Sequence, residues 1–252
     1  MEFFLKMEKI IILLIICSNS LIYSQSSIGL AVYNLHIVFD KEAMEVDKKY
    51  GYIQKAIDVS KQLEYKLVFK KKESNFYQDL DNKLDKVSVN MANILSDTPK
   101  MCYQNIEKNI YLRELNADGI IIKSNEFIIA DTLKLEWQIT NESKLIDNYL
   151  CYKASTLKKI TKGDKTFNEN VTAWFCPSIP YPFGPTKYSG LPGLILELQE
   201  KNIAFTLKSL SINENSITNI NIPTAKKIIS QEEYDKIVLS RMETFESMSK
   251  QK

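Results

Sequence analysis

Cysteine and histidine side chains carry much of the nucleophilic and metal-binding chemistry of proteins, and this chain has four cysteines and one histidine. His36 lies in a segment whose alternation predicts a β-strand, on its more polar face, so we expect a surface or structural histidine. The sequence contains no HExxH, Gly-x-Ser-x-Gly or glycine-rich phosphate motif. We therefore predict no catalytic residue, no metal site and no cofactor.

Two of the cysteines could meet across a predicted β-hairpin. Gly163 and Asp164 are typical of a two-residue hairpin loop, and pairing outward from it places Cys151 opposite Cys176. The pair falls at a non-hydrogen-bonded position, where β-carbons lie ~4.5–5.5 Å apart, close to the ~3.5–4.5 Å of a disulfide. One bulge would separate the two residues. A Cys151–Cys176 disulfide and two unpaired strand cysteines both remain open.

Paired carboxylates can hydrolyse substrates without histidine. The acidic residues here are scattered on outward strand positions, such as Glu136 and Glu197, which is typical of a solvated face. A hydrolase would require two Asp or Glu side chains that converge in a cleft.

The segment 177–193 holds five of the seven prolines and three of the seven glycines. Proline fixes φ and glycine admits positive φ, so the segment predicts a rigid, irregular loop between two strands. Leu191-Pro192-Gly193 predicts a type II turn. The loop is either a plug that closes the core or a preorganised apolar surface for a ligand or partner. The candidate ligand or partner residues are Trp174, Tyr181, Phe183, Tyr188, Gly190, Leu191, Pro192, Gly193, Leu194 and Ile195.

Alternating apolar residues predict an N-terminal strand over 29–39, with Ala31, Tyr33, Leu35 and Ile37 inward. A three-to-four-residue spacing from Ala43 through Val46, Tyr50, Ile53 and Ile57 predicts a helix that ends near residue 63. Residues 72–100 are weakly patterned, and we interpret them as loop with short elements. The remaining strands are predicted at 109–115, 119–123, 127–130, 133–140, 150–160, 166–176, 194–198, 203–210 and 217–222.

The strand 133–140 alternates clearly, with Leu133, Leu135, Trp137 and Ile139 expected inward. The chain ends in a predicted helix over 231–248, with Ser230 as its N-cap. Strands joined by short turns indicate a mainly β protein, an antiparallel sandwich or partly open barrel with one N-terminal and one C-terminal helix.

Residues 1–24 have the pattern of a secretory signal peptide, because Lys6 and Lys9 precede an apolar run over 10–17. The run is shorter than the ~20 residues of a spanning helix, and no later segment is apolar enough. A lipoprotein signal at Cys17 is the alternative, which the bulky Ile16 disfavours. We expect cleavage near Ser24, one β-rich domain over 25–252 without a transmembrane segment, and a location in the periplasm, the cell envelope or outside the cell.

The hexapeptide Gly190–Ile195 reads GLPGLI, and its flanks include Trp137–Glu142, Tyr149–Ala154 and Thr172–Phe175. In these motifs, from about residue 130 to 210, the chain resembles the GLPGLI family of exported Bacteroidota proteins. The resemblance implies a secreted, strand-rich protein and brings no established activity.

Lys+Arg 33 against Asp+Glu 31 gives a net charge of +2, without the basic excess of a nucleic-acid-binding protein. We expect a secreted, non-catalytic cell-envelope protein that binds a protein partner or an apolar ligand through the proline-rich loop. The alternatives are a carboxylate-dependent hydrolase of envelope polymers or peptides, and a structural subunit of an outer-membrane transport or secretion assembly.

Overall fold

The computed structural model describes residues 28–39, 44–45, 51–79, 83–116, 121–123, 125–132, 135–162, 165–214, 216–217 and 219–249. The predicted signal peptide lies outside these residues, as do Ala43, Val46, Tyr50 and Leu133. Within the described ranges, no helix combines the length and the apolar character needed to cross a membrane.

Within the described residues, twelve strands form a single sheet that does not close into a barrel, which confirms the mainly β prediction. The strands are β1 Gly29–Ile37, β2 Glu64–Phe69, β3 Glu73–Asp79, β4 Met101–Asn105, β5 Ile110–Glu114, β6 Phe127–Asp131, β7 Gln138–Ile146, β8 Tyr149–Lys162, β9 Lys165–Cys176, β10 Leu194–Gln199, β11 Ile203–Ile212 and β12 Lys227–Ser230. The described part also holds three helices, α1 Tyr52–Ser60, α2 Lys86–Ser96 and α3 Gln231–Ser249.

The strand order is β12-β6-β5-β4-β3-β2-β1-β11-β10-β9-β8-β7. Neighbouring strands are antiparallel, except that β12 runs parallel to β6. The later strands β11 and β10 return to lie beside β1, so strands that are distant in sequence share the centre of the sheet.

The core centres on β1, where Ala31, Tyr33 and Leu35 are fully buried, as the alternation predicts. The Tyr33 hydroxyl donates to the carbonyl of Ile195 at 2.6 Å, which ties β1 to the start of β10. Because Tyr33 is buried, its hydroxyl pKa is raised far above the usual range. This hydrogen bond is part of the fixed interior of the protein.

Residues 72–100 are more ordered than their pattern indicates, since they form β3 and α2. The missed strand buries Ser74, Asn75 and Gln78, so it lacks the apolar alternation by which strands are recognised. The side-chain N–H of Asn75 donates a hydrogen bond to the carbonyl of Asn221, so this buried polar residue has a partner. The predicted strand over 217–222 is wrong for its described residues, and β12 forms downstream beside β6 instead.

The prediction of a strand over 133–140 is only partly correct, because β7 begins at Gln138. Ile139 was expected inward but is 53% exposed. Leu135 and Trp137 are partly buried against the core without belonging to a strand. The register of β7 against β8 also shifts between Ile139 and Ser143.

The register of the β8–β9 hairpin is the predicted one. It runs from Lys162 opposite Lys165 to Tyr152 opposite Phe175 without a shift. The two predicted loop residues, Gly163 and Asp164, lie outside the described residues.

The C-terminal helix is also confirmed, and the backbone N–H of Glu233 donates to Ser230 Oγ at 3.1 Å, as the predicted N-cap requires. Arg241 attaches α3 to the loop before β6. Its guanidinium donates to both carboxylate oxygens of Glu126, at 2.6 and 3.0 Å, and to the carbonyl of Ile121 at 2.9 Å.

Candidate ligand site

The proline-rich loop, residues 177–193 between β9 and β10, folds into the core. Phe183, Tyr188 and Leu191 are at most 1% exposed, as are Leu194 and Ile195 at the start of β10. This placement agrees with the interpretation of the loop as a plug. It leaves these candidate side chains without a solvent-facing apolar surface.

Main-chain hydrogen bonds hold the plug in place. The N–H of Leu194 donates to the carbonyl of Ile179, and the N–H of Ile195 to that of Phe183, both at 2.9 Å. Tyr181 is partly buried, and its ring packs on Phe69 with centroids 4.8 Å apart.

The turn at Leu191-Pro192-Gly193 is not the predicted type II turn. The N–H of Gly193 donates to the carbonyl of Leu191 at 2.8 Å, which is a three-residue turn around Pro192. Positive φ occurs at Gly190, at 91°, and not at Gly193. Glycine is required at 193 for space, because a Cβ there would lie 2.2 Å from the carbonyl oxygen of Cys176.

Trp174 on β9 lies among charged side chains from β7 and β10. The Lys144 ammonium is 4.4 Å from the Trp174 ring centroid and 2.8 Å from a carboxylate oxygen of Glu197. This packing on a partly exposed sheet face accounts for Trp174 without a ligand.

A large cleft opens where β8 extends beyond β7. Pairing between β7 and β8 stops at Gln138 opposite Ser155, although β8 continues to Lys162. Residues 135–137 belong to no strand, and the cleft that they line together with β8 has a volume of about 1020 Å³. We call it the Trp137 cleft, and its lining residues are Leu135, Glu136, Trp137, Gln138, Ser155, Thr156, Leu157, Lys158, Lys159, Asn170, Lys187 and Tyr188.

The aromatic wall of the cleft is fixed by the proline-rich loop. The Trp137 indole N–H donates to the carbonyl of Ser189 at 2.8 Å, and the ring packs edge-on against Tyr188. Gln104 holds the loop from the other side by donating from its side chain to the carbonyl of Thr186 at 2.5 Å. Thr186 has a positive φ of 54°, and this bend precedes Lys187.

Three lysines and one glutamate contribute charge to the lining. The Lys158 ammonium already forms ion pairs with two carboxylates, with Glu200 at 2.7 Å and with Asp97 at 3.9 Å. Lys187 has no hydrogen bond or ion pair with another described residue. Burial and the nearby Lys158 ammonium lower the pKa of Lys187. The cleft therefore holds an ammonium group that has no hydrogen bond or ion pair within the described residues, although the Glu200 carboxylate attracts it from a distance.

The Tyr188 hydroxyl is a second buried polar group beside the cleft, and it lies near the Glu200 carboxylate. Tyr188 is 1% exposed, and its oxygen makes no hydrogen bond within the described residues. Burial, and then the nearby Glu200 carboxylate, raise the pKa of this hydroxyl far above its usual range. The hydroxyl therefore remains protonated, with the Glu200 carboxylate as its nearby acceptor.

The main chain of β8 adds further hydrogen-bonding groups. Residues of an antiparallel strand direct their N–H and C=O groups alternately to the two sides. In the observed register, Thr156 and Lys158 bond towards β9, whereas Leu157 and Lys159 direct these groups towards the cleft. No main-chain bond from Leu157 or Lys159 to another strand is present on that side in the described ranges.

Two carboxylates do converge near the cleft, but an ammonium stands between them. Glu200 and Asp97 both contact Lys158, so each is neutralised by a fixed cation rather than presented to a substrate. His36 is remote from the cleft, on β1, with its Nε2 3.0 Å from the Thr206 hydroxyl. The described residues contain no group of three His, Cys, Asp or Glu side chains that could bind a metal.

Sequence reasoning identified Tyr188 but missed Lys187, Lys158 and the edge of β8. Lys187 lies inside the proline-rich segment, and a cation among so many apolar and proline residues is the one local signal that could have indicated it. Lys158 carried no signal, because its partners Glu200 and Asp97 are distant in sequence.

A model of a family described as a protein of unknown function (Porph_ging) matches residues 162–197, which span β9, the proline-rich loop and the start of β10. The match supports a relation to a family of unknown function typical of Bacteroidota. No curated protein matches this chain.

Two solved structures of PNGF-II, in space groups C2 and P21, are similar in fold. They are 13% and 12% identical, with TM-scores of 0.50 and 0.49, and each match covers 86% of this chain. The matches cover 33% and 34% of the PNGF-II chains, so this chain spans about a third of their length. At this identity, the likeness concerns the fold alone.

Proposed function

We propose that this chain is an exported, non-catalytic protein of the cell envelope, of the GLPGLI type, that binds an extended acidic segment of a partner protein in the Trp137 cleft. The observation that carries the proposal is the open edge of β8 beside an unpaired lysine. A peptide strand added to such an edge obtains its affinity from main-chain hydrogen bonds and its specificity from the side-chain pockets.

The charge of the lining indicates an acidic segment. Lys158, Lys159 and Lys187 face a single lining acid, Glu136. A carboxylate next to Lys187 would give that ammonium its missing partner, and a charge-assisted bond of this kind contributes about 1.5–3 kcal/mol. Trp137 and Leu157 offer apolar contact for alternate side chains of the same segment.

The proline-rich loop then supports the site rather than forming the contact surface. It positions Lys187 and Tyr188, and it fixes Trp137 through Ser189. This role uses the rigidity that proline and glycine confer, while the apolar side chains remain in the core.

A fluorescence titration tests the proposal. The chain has two tryptophans, so Trp174→Phe leaves Trp137 as the single indole reporter. The probe is an acetylated, amidated hexapeptide of alternating valine and glutamate, titrated at low salt. We expect a saturable change in Trp137 emission, none with the valine–lysine peptide, and at least about tenfold weaker binding to Lys187→Gln. The exposed Lys71, changed to Gln, is the matched control and should bind as tightly as the parent.

A peptide methylated on alternate main-chain nitrogens separates strand addition from simple charge attraction. Strand addition requires that the methylated peptide lose binding although its charge is unchanged. Binding of the methylated peptide, or of the valine–lysine peptide, as tight as that of the valine–glutamate peptide would contradict the proposal.

A further inference from the structure

The thiols of Cys151 and Cys176 are neighbours across the β8–β9 hairpin. The unshifted ladder ends at Tyr152 opposite Phe175, and one further step in the same register places Cys151 opposite Cys176. Both residues are fully buried, and the Cys176 thiol lies near enough to Cys151 to contribute to the raised pKa of the Cys151 thiol. The structure records them as thiols.

The position in the ladder is one that suits a cross-strand disulfide. Counting from the Lys162–Lys165 pair that closes the hairpin, the Cys151–Cys176 pair is non-hydrogen-bonded. Side chains approach most closely at such pairs. The strands are also held from outside, because Cys151 lies opposite Lys144 of β7 and Cys176 opposite Leu194 of β10.

We propose that Cys151 and Cys176 form a disulfide in the exported protein, which fastens the hairpin at the base of the proline-rich loop. Cys176 is the last residue before that loop, and its carbonyl is the group against which Gly193 packs. The bond would fix the start of the segment that positions Lys187, and the end of that segment packs on the same residue at Gly193. It is independent of the proposed peptide binding.

The oxidant is the disulfide of a thiol–disulfide exchange protein, the class that introduces disulfides into exported chains. The thiolate of one cysteine attacks the donor disulfide and forms a mixed disulfide, which releases one donor thiol. The thiolate of the second cysteine then attacks the sulfur of the first and releases the other donor thiol. The two cysteines lose two protons and two electrons, and the donor disulfide is reduced to two thiols.

Because the cysteine pair is buried in the folded protein, the disulfide should form before folding is complete. Burial, and then the neighbouring Cys176 thiol, raise the pKa of the Cys151 thiol to about 12, so its thiolate is scarce in the folded protein. Exchange therefore precedes the closing of the proline-rich loop over Cys176. Once formed, the buried bond is protected from reductants.

Alkylation of the protein recovered from the bacterial periplasm tests the inference. The protein is denatured, treated with iodoacetamide without reductant, digested and analysed by mass spectrometry. We expect Cys102 to be alkylated, and Cys151 and Cys176 to appear as one linked peptide that separates on reduction. Cys102 is equally buried and has no cysteine opposite it, so it serves as the internal control. Alkylation of Cys151 and Cys176 without reduction would overturn the inference, as would a bond to Cys102.

Thermal unfolding provides a second readout. A bond that closes a loop of this size raises the melting temperature on the order of 5–10 °C. Dithiothreitol, added while the chain is unfolded and kept present, should lower the wild-type melting temperature by this amount, and the Cys102→Ser variant should respond in the same way. The double variant Cys151→Ser, Cys176→Ser should be insensitive to dithiothreitol, and a wild type that is equally insensitive contradicts the inference.

Discussion

Trp137 meets Tyr188 edge to face, with ring centroids 6.1 Å apart and ring planes at 60°. Its indole also donates to the carbonyl of Ser189, so Trp137 packs with the proline-rich loop and not with the ladder of β7. Since the chain leaves the sheet edge at this point, β8 loses its neighbour and the cleft opens. One aromatic contact thus explains both the shortened strand and the candidate site.

The two sides of β8 should respond differently to proline. Leu157→Pro removes an N–H that faces the cleft, whereas Ile160→Pro removes one that faces β9. Proline is tolerated where the N–H of an edge faces solvent and costs ~3 kcal/mol or more where it breaks a ladder bond. We expect Leu157→Pro to keep the urea midpoint near that of the wild type and to lose the valine–glutamate peptide. A Leu157→Pro variant as unstable as Ile160→Pro would show that the β8 edge is paired.

Gly193 should not accept a methyl group. The Cβ of Gly193→Ala would overlap the carbonyl oxygen of Cys176, and backbone cannot move as a side-chain tip can. We expect a loss of about 2–3 kcal/mol in the free energy of unfolding, measured in urea. Gly190→Ala is the control, since a Cβ there meets no atom within 4 Å and the cost comes from its positive φ, about 1–2 kcal/mol. The reverse ranking would exclude the close packing of Gly193 on Cys176.

The Lys158–Glu200 pair should stabilise the floor of the cleft. The two side chains are 21% and 9% exposed, so removing one leaves a poorly solvated charge. We expect Glu200→Gln to cost about 2–4 kcal/mol, and the double variant Lys158→Met, Glu200→Leu to recover much of it. Asp97→Asn should cost less than about 1 kcal/mol, because Asp97 is 73% exposed and 3.9 Å away. Equal losses for Glu200→Gln and Asp97→Asn would contradict this assignment.

The attachment of α3 should weaken in acid. Hydrogen bonds from Arg241 lower the pKa of Glu126 from its usual 4.5 to about 2. A carboxyl with a lowered folded-state pKa stabilises fully above its unfolded pKa, and this contribution is lost as pH falls towards the folded pKa. We expect hydrogen-exchange protection of α3 to fall between pH 4.5 and 2.

Two variants isolate this effect. Glu126→Gln should show low protection of α3 already at pH 7, with little further change in acid. Glu232→Gln breaks only the exposed Glu232–Lys236 pair on α3 and should keep the wild-type profile. An unchanged profile in Glu126→Gln would show that the Arg241 contact does not hold the helix.

The sequence predicts a structural element correctly where the residues that determine it are close together in the chain. The alternation of β1, the register of β8 against β9 and the N-cap of α3 are all set by residues close together in the chain. The strand β3 was missed because its buried face is polar, and β12 because its partner β6 lies about a hundred residues earlier. The cleft depends on Trp137 contacting Ser189 and on Lys158 contacting Glu200, and neither distant pairing leaves a periodic signal.

Residue-resolved amide hydrogen exchange, with and without the valine–glutamate peptide, measures the central claim most directly. Strand addition at the cleft predicts that the peptide protects the Leu157 and Lys159 amides at least tenfold, while the Ile160 amide, already bonded to β9, changes little. Saturating peptide that leaves Leu157 and Lys159 unprotected, or protects only residues outside the Trp137 cleft, would contradict the account.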